Sequence, residues 1–524
     1  MLASLLAATL NGLEGHPIRV EVDVAPGLPG LTIVGLADTA LQEARERVRG
    51  AIRNSGFEYP PRRITVNLAP ADLRKAGASL DLAIALGVLV GSEQINATGR
   101  WAVLGELSLG GELRAVPGLL PMVAALQKRR VGRVIVPLEG REEAALAGGI
   151  EVVPAATLAE AACLLRARRG GSRRKQPPRV ELAEAVSHED SQSNADRSEV
   201  YWRRLPDLAE VRGQLEARRA LELALAGGHC LVMIGPPGSG KTLLARTVPS
   251  LSPPLDDEEA RVATIIASVA GAMPLRGLVR ERPFRAPHHT ISYAAMVGGG
   301  PRLSPGEVTL AHTGCLFLDE LPEFDRSTLE ALRQPLEDGE VSIARVGKAA
   351  VFPARFQLMA AMNPCPCGHA GEGDGRCRCQ PAAVERYAGR VSGPLRDRID
   401  LWVHMPRVRP DEYVGQSPME DSATVKARIV EARRRQLARG LLNARLSGTR
   451  LRAACQLGPA EQAHAIRLAD QEGWSARGTE RLLRVARTAA DLAGKDRVEG
   501  SELDEAARFR SHSGASRLGY EAVV

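Results

Sequence analysis

Eight residues constrain this chain more than any others: Gly235-Pro236-Pro237-Gly238-Ser239-Gly240-Lys241-Thr242. They follow a continuous apolar run at 230–234 and lead directly into the helical Leu243-Leu244-Ala245-Arg246. The pattern G-x-x-x-x-G-K-[ST] between a buried strand and a helix is a phosphate-binding loop. Its glycines let backbone N–H groups turn inward around phosphate, and the helix N-terminus adds positive potential. Lys241 is placed to reach the β- and γ-phosphates, and Thr242 to ligate Mg²⁺. An ordinary glycine turn would require neither. ATP and Mg²⁺ are therefore the expected cofactors. Further apolar runs at 315–318 and 356–361 are short and almost continuous, as strands buried on both faces of a parallel sheet are, so the fold class is α/β.

The 315–318 run ends in Asp319-Glu320. In such a pair the first acid holds the Mg²⁺ shell and the second polarises the attacking water, although acids after a strand also serve as helix caps. The third run ends at Asn363, a neutral amide able to orient that water. Its value as a signal comes from its order along the chain.

Taken in sequence, Lys241/Thr242, Asp319/Glu320, Asn363 and Ser392-Gly393-Pro394-Leu395-Arg396-Asp397-Arg398-Ile399-Asp400 resemble the Walker A, Walker B, sensor 1 and arginine-finger segments of AAA+ ATPases, specifically the magnesium-chelatase-like branch. The helical 475–487 stretch is similar to that branch's sensor 2 helix. The resemblance implies that Arg398 reaches a neighbouring subunit's site and that Arg477 contacts the γ-phosphate, in cis or in trans. Arg481 lies one turn from Arg477 on the same face. It also implies a homo-oligomeric ring, a hexamer in this family.

The segments Pro283-Phe284-Arg285-Ala286-Pro287-His288-His289-Thr290, Pro305-Gly306-Glu307-Val308 and Asn363-Pro364-Cys365-Pro366-Cys367-Gly368 extend the resemblance to the ComM/YifB group over nearly the whole chain. That similarity implies an ATP-driven DNA motor, a branch-migration helicase promoting integration of DNA during natural transformation. A chelatase-type motor inserting metal into a tetrapyrrole and a protein-remodelling ATPase are the alternatives. Arg276, Arg280, Arg282, Arg285 and Arg302 lie in an insertion at 268–307, and 337–352 reads as a hairpin with Arg345 and Lys348 near its tip. In this branch both elements face the ring pore, where cations hold phosphates without reading sequence. A solvated arginine face is the plainer reading. The same choice applies to Arg433, Arg434, Arg435, Arg439 and Arg445 in the C-terminal region, and His288 and His289 read as loop anchors rather than ligands.

Residues 1–167 alternate β-patterned and helical runs. Lys75-Ala76-Gly77-Ala78-Ser79-Leu80-Asp81 and Gly105-Glu106-Leu107 resemble the proteolytic domain of Lon, with its ribosomal S5-type α+β fold. That comparison puts Ser79 at the nucleophile, but Leu120 stands where Lon supplies its Lys base, and Lys128 is about two helical turns on. Proteolysis is therefore not expected. Residues 168–199 have no apolar period and read as a flexible linker. The expected layout is completed by an ATPase core at 200–410, with its helix-2 insert and pre-sensor hairpin, and a helical lid at 411–524.

The formal charge of +7 favours polyanion partners only weakly, because 62 of the 69 basic residues are Arg and such richness can be a genomic bias. No run of about 18 apolar residues exists, so a membrane partner is not expected and the location is read as cytoplasmic. Of eight cysteines, Cys365, Cys367, Cys377 and Cys379 form C-x-C-x₉-C-x-C around a glycine-rich stretch. Four thiolates at that spacing can surround a structural Zn²⁺, the alternative being free thiols in a reducing compartment.

Overall fold

The computed structural model describes residues 1–510 except 36–38, 72–74, 76–77, 98–99, 167–204, 273–274, 301–302, 346–347, 372, 374 and 410–418. The linker expected at 168–199 lies outside the described residues.

The N-terminal sheet is built from strands whose side chains alternate between core and solvent. In β2 (Glu14–Ala25) the valines Val20, Val22 and Val24 are buried, while Arg19 and Asp23 between and beside them are exposed. This is the pattern of a strand with one covered face. With β1 (Leu2–Asn11), β3 (Gly30–Val34), β4 (Arg63–Ala69), β5 (Trp101–Val103), β6 (Arg133–Pro137) and β7 (Glu151–Ala155) it forms a seven-stranded sheet in the order β3-β4-β2-β1-β5-β6-β7. The pairs β1/β2 and β2/β4 are antiparallel and the others parallel, so the sheet is mixed. Between α1 (Thr39–Asn54) and the almost fully buried α2 (Asp81–Gly91), Arg47 makes a two-point ion pair with Asp81, at 2.7 and 3.2 Å. Burial pushes the Asp81 carboxyl up to about 6, and Arg47 works against that shift.

The second sheet is wholly parallel: β8 (Leu231–Ile234), β9 (Phe284–Arg285), β10 (Cys315–Leu318), β13 (Gln357–Met362) and β14 (Leu401–His404), in the order β9-β10-β13-β8-β14. Every residue of β8, β10 and β13 is buried, as the three apolar runs predict. A hairpin of β11 (Glu340–Arg345) and β12 (Lys348–Pro353) forms a separate two-stranded sheet with Arg345 opposite Lys348; Ala350 and Phe352 lie against Gly12 of the N-terminal unit, and the hairpin's turn lies outside the described residues.

The insertion expected at 268–307 is corrected in one respect. Phe284 and Arg285 pair with Cys315 and Leu316 as the edge of the main sheet, so the stretch is two connections separated by a strand. A two-residue strand carries too little pattern to be read from sequence.

The helix preceding the loop strand, α5 (Leu215–Gly227), packs against α8 (Ser422–Ala438) and α9 (Ala476–Leu492), and one core joins Leu231 and Met233 to Ile429, Leu482 and Ala486. The N-terminal unit touches the motor through α3 (Leu119–Lys128) and α4 (Arg141–Ala145). There the Gly118 N–H donates to the carbonyl of Ser268, at the end of α7 (Asp257–Val269), at 2.9 Å. The Ser268 hydroxyl donates in turn to Glu143 at 2.6 Å.

Candidate nucleotide site and the facing arginine cleft

Parallel strands deliver their C-terminal ends to one edge of the sheet, and three of the expected groups meet there. Ile234 precedes Gly235, Leu318 precedes Asp319, and Met362, in register with Ile234, precedes Asn363. Gly235 must be glycine, since a Cβ would lie 2.3 Å from the Met405 carbonyl oxygen. Gly238 and Gly240 take φ of +80° and +91°, the left-handed region that glycine enters at no steric cost. Pro236, Pro237 and Ser239 complete the turn, and α6 (Lys241–Arg246) starts directly behind it. Gln214 braces the loop from outside by donating to the carbonyls of Ser239, at 3.2 Å, and Pro406, at 2.5 Å.

Lys241 is folded into the turn. Its ammonium donates to the carbonyls of Gly235 at 2.5 Å and Pro236 at 2.9 Å, and to Asn363 Oδ1 at 3.2 Å. Burial lowers the Lys241 pKa while Asp319 and Glu320 oppose the shift. The Thr242 hydroxyl donates to Asp319 Oδ2 at 2.7 Å, which brings the two Mg²⁺-ligand candidates into direct contact. This oxygen-donor pair fits a hard divalent cation that keeps most of its water.

Glu320 has φ +54°, a left-handed backbone that a non-glycine residue rarely adopts away from special sites. Its carboxylate faces His289, whose Nδ1 lies 3.4 Å from Oε2. The His289 ring stacks at a tilt on His288, 4.1 Å between centroids, and His288 is held by Thr290 at 2.9 Å. The loop-anchoring reading holds for His288. His289 in addition touches the second acid, which only the turn after β9 brings about.

Arg398 and Arg477 are not at this edge. Both line a cleft of about 1270 Å³ whose walls also include Cys230, just before β8, and Cys315 and Gln357, the N-terminal ends of β10 and β13. A four-residue strand separates the two edges by about 13 Å. Arg398 pairs with Glu337, in the helical segment Arg333–Asp338 ahead of the hairpin, and with the Pro394 carbonyl, not with the neighbouring Asp397 or Asp400. Asp400 is engaged elsewhere, by His229 at 3.4 Å and Arg481 at 3.8 Å. Arg477 is exposed, whereas Arg481 is buried.

The arginines expected to hold phosphates are largely paired with groups of the same chain, several of them at the surface. Arg280 pairs with Asp257, Arg282 with Glu259 and Arg285 with Glu307, while Arg276 approaches Glu142. Arg302 lies outside the described residues. In α8, Arg433 donates to the Leu225 carbonyl, Arg434 and Arg435 pair with Glu431, and Arg439 pairs with Asp491. Neither stretch is an unpaired phosphate-binding face. Sequence alone could not reveal these pairings, because most partners come from other elements.

The four clustered cysteines converge. Their Sγ atoms all lie within 4.8 Å of one another, with separations of 3.3 Å (Cys365–Cys367), 3.7 Å (Cys367–Cys377) and 3.8 Å (Cys365–Cys377) among the first three. In the N-terminal unit, Ser79 is buried and its hydroxyl donates to the Ala8 carbonyl at 3.3 Å. Lys75 is also buried and bonded to the Pro70 carbonyl, and Lys128 is exposed at the end of α3.

Three segments match families described as subunit ChlI of Mg-chelatase (residues 20–140), magnesium chelatase, subunit ChlI (207–413) and its C-terminal region (419–510). YifB of Escherichia coli is 43% identical over 95% of this chain and 95% of its own. The competence protein ComM of Haemophilus influenzae is 38% identical over 97% of both. The chain belongs to the magnesium-chelatase-like ComM/YifB family. Lon protease 2 of Bacillus subtilis is 31% identical over 25% of each chain, a partial likeness that accompanies the near full-length match to this AAA+ family. No helix among the described residues is long and apolar enough to cross a membrane.

Proposed function

We propose that the chain is an ATP-hydrolysing motor that works as a ring, most simply a cytoplasmic hexamer, and drives branch migration of DNA during natural transformation. The observation that carries the reading is a division of labour across one sheet. Lys241, Thr242, Asp319 and Asn363 sit together at one edge, while Arg398 and Arg477 open into a cleft at the other. A protomer so built holds a triphosphate but lacks a cation on its far side. A neighbour's cleft brings two.

In this reading the loop N–H groups and Lys241 bind the phosphates once Lys241 leaves the carbonyls of Gly235 and Pro236. Thr242 and Asp319 would hold Mg²⁺, which would supply charge neutralisation to the phosphates. Glu320 polarises the attacking water and Asn363 orients it. Arg398 of the next protomer neutralises charge that develops on the transferring phosphoryl group, and Arg477 acts in trans beside it, since it lies at the wrong edge to act in cis. The thiolates of Cys365, Cys367, Cys377 and Cys379 hold a structural Zn²⁺.

The DNA substrate rests on likeness to the competence protein ComM, and the hairpin of β11 and β12 is the element available to meet it. The chelatase descriptions of the matched segments favour a second reading, a motor for metal insertion into a tetrapyrrole, and the Lon likeness a third, protein remodelling. A synthetic three- or four-stranded DNA junction incubated with the purified protein and ATP separates them. Strand exchange that is lost in Lys241→Ala supports the first. ATP turnover that is indifferent to DNA, with no strand exchange, removes it.

A further inference from the structure

The segment between β13 and the next helix, which starts at Pro381, is 18 residues long and has no regular structure among its described residues. Apart from Pro364 and Pro366 it contains no aliphatic residue larger than Ala, and no aromatic ring other than His369. A loop of that length inside a compact domain needs something other than apolar burial to hold it. Its four thiols are the groups in it that a single metal ion can cross-link.

Their spacing is that of a tetrathiolate. A tetrahedron with Zn–S bonds of about 2.3 Å has edges of about 3.8 Å. The observed 3.7 and 3.8 Å separations match that edge, and 3.3 Å across the short C-x-C is somewhat tighter. A disulfide needs sulfurs at about 2.05 Å, so none of these pairs is one. The backbone around Cys365 is arranged as a metal knuckle is: the Ala370 N–H donates to Cys365 Sγ at 3.3 Å, and the Gly368 N–H closes a turn onto the Cys365 carbonyl at 3.0 Å.

The knuckle also presses on the nucleotide loop. Gly368 has φ +85°, and a Cβ built on it would lie 2.6 Å from Pro237 Cδ and 2.9 Å from Pro237 Cγ. Asn363, two residues before the first thiol, is bonded to Lys241. The cysteine loop is thus tied to the phosphate loop at two points, Gly368 against Pro237 and Asn363 against Lys241. We infer that Zn²⁺ bound by Cys365, Cys367, Cys377 and Cys379 acts as a clamp on the phosphate loop, so that metal loading sets nucleotide affinity. This rests on the proposed zinc and nucleotide sites and adds their coupling. Without the ion the thiols no longer tie the two ends of the 365–379 stretch together, and the wall that Gly368 forms on Pro237 loosens.

Two measurements on the full chain test the inference: zinc content by mass spectrometry, and the Kd of a fluorescent, non-hydrolysable ATP analogue. Wild type is expected to carry roughly one zinc per chain, and Cys367→Ser/Cys377→Ser to carry none. Removing the metal with a chelator is expected to weaken the analogue about tenfold, and adding Zn²⁺ back to restore it. Gly368→Ala keeps all four ligands, so it is expected to retain zinc yet bind the analogue more weakly, which separates the clamp from a simple folding defect. A zinc-free wild type overturns the site. A loaded protein whose affinity ignores chelation, or a Gly368→Ala chain that binds like wild type, overturns the clamp. Lys241→Ala should keep its zinc and lose the analogue. If zinc-loaded wild type bound no analogue at all, the nucleotide reading would fail while the metal site stood.

Discussion

The Asp319 and Glu320 carboxylates are adjacent in sequence and oppositely employed. Asp319 accepts from Thr242, while Glu320 is turned out by its left-handed backbone to meet His289. In the proposed mechanism an imidazole 3.4 Å from a carboxylate oxygen occupies the atom that would accept the water's proton. His289→Ala is therefore expected to raise hydrolysis in the absence of DNA, by up to about fivefold, because a partly exposed pair of this kind is worth about 1 kcal/mol at most. A steady-state ATPase assay with and without DNA checks this, and an unchanged or lower DNA-free rate counts against the holding role. Glu320→Gln, which keeps the shape but not the base, is expected to cut turnover by at least about a hundredfold while leaving the Kd for ATP within a few-fold. At this scale the sequence was readable where spacing carries the chemistry: Lys241, Thr242, Asp319 and Asn363 follow strands in an order that admits one arrangement. His289 and Gln214 were not, because their contacts depend on turns that bring distant carbonyls and carboxylates to them.

Among the elements, the contact of α3 and α4 with α7 has a titratable group at its centre. Glu143 is buried, and its Oε1 accepts from the Leu120 N–H at 3.0 Å and from the Ser268 hydroxyl at 2.6 Å. Oε2 has no partner. Burial raises the Glu143 pKa, and the donors from Ser268, Leu120 and Leu119 only partly offset it. The docked state therefore prefers the protonated acid. Its advantage is complete below the ordinary carboxylate value of about 4.3 and is lost as pH rises through the elevated one. Glu143→Gln keeps an acceptor for both donors and removes the charge, so it is expected to tighten the contact at neutral pH and flatten its pH dependence. Glu143→Ala strands both donors and is expected to cost about 1–3 kcal/mol. Hydrogen exchange of α3 and α7 between pH 4 and 7.5 reads both effects, and protection that rises with pH in wild type contradicts the sign. The alternation of β2 and the apolar runs of β8, β10 and β13 announced their strands from sequence. This contact did not announce itself, because a Glu in an ordinary Arg-Glu-Glu helix start looks solvated until Ser268 covers it. The pairs of Arg276, Arg280, Arg282 and Arg285 were hidden for a different reason, since each carboxylate lies on another element far along the chain.

At the scale of the whole molecule, the separation of the two edges of the second sheet bears on the proposed ring. The cleft holding Arg398 and Arg477 lies across the sheet from its own phosphate loop, so in the proposed mechanism a heterologous, closing contact would bring it to a neighbour's. Arg398→Ala alone is expected to lower turnover by about 10³-fold or more, the usual worth of such a finger, with ATP binding retained. That loss alone does not distinguish a shared site from a private one. Mixing does. A Lys241→Ala chain has an empty loop and an intact Arg398, and an Arg398→Ala chain has the reverse. Equal amounts assembled at random leave about a quarter of the shared sites complete, so the mixture is expected to recover about a quarter of wild-type hydrolysis from two nearly inactive proteins. Were loop and arginine to act within one chain, no combination of the two would restore a complete site, and the mixture would stay as inactive as its components.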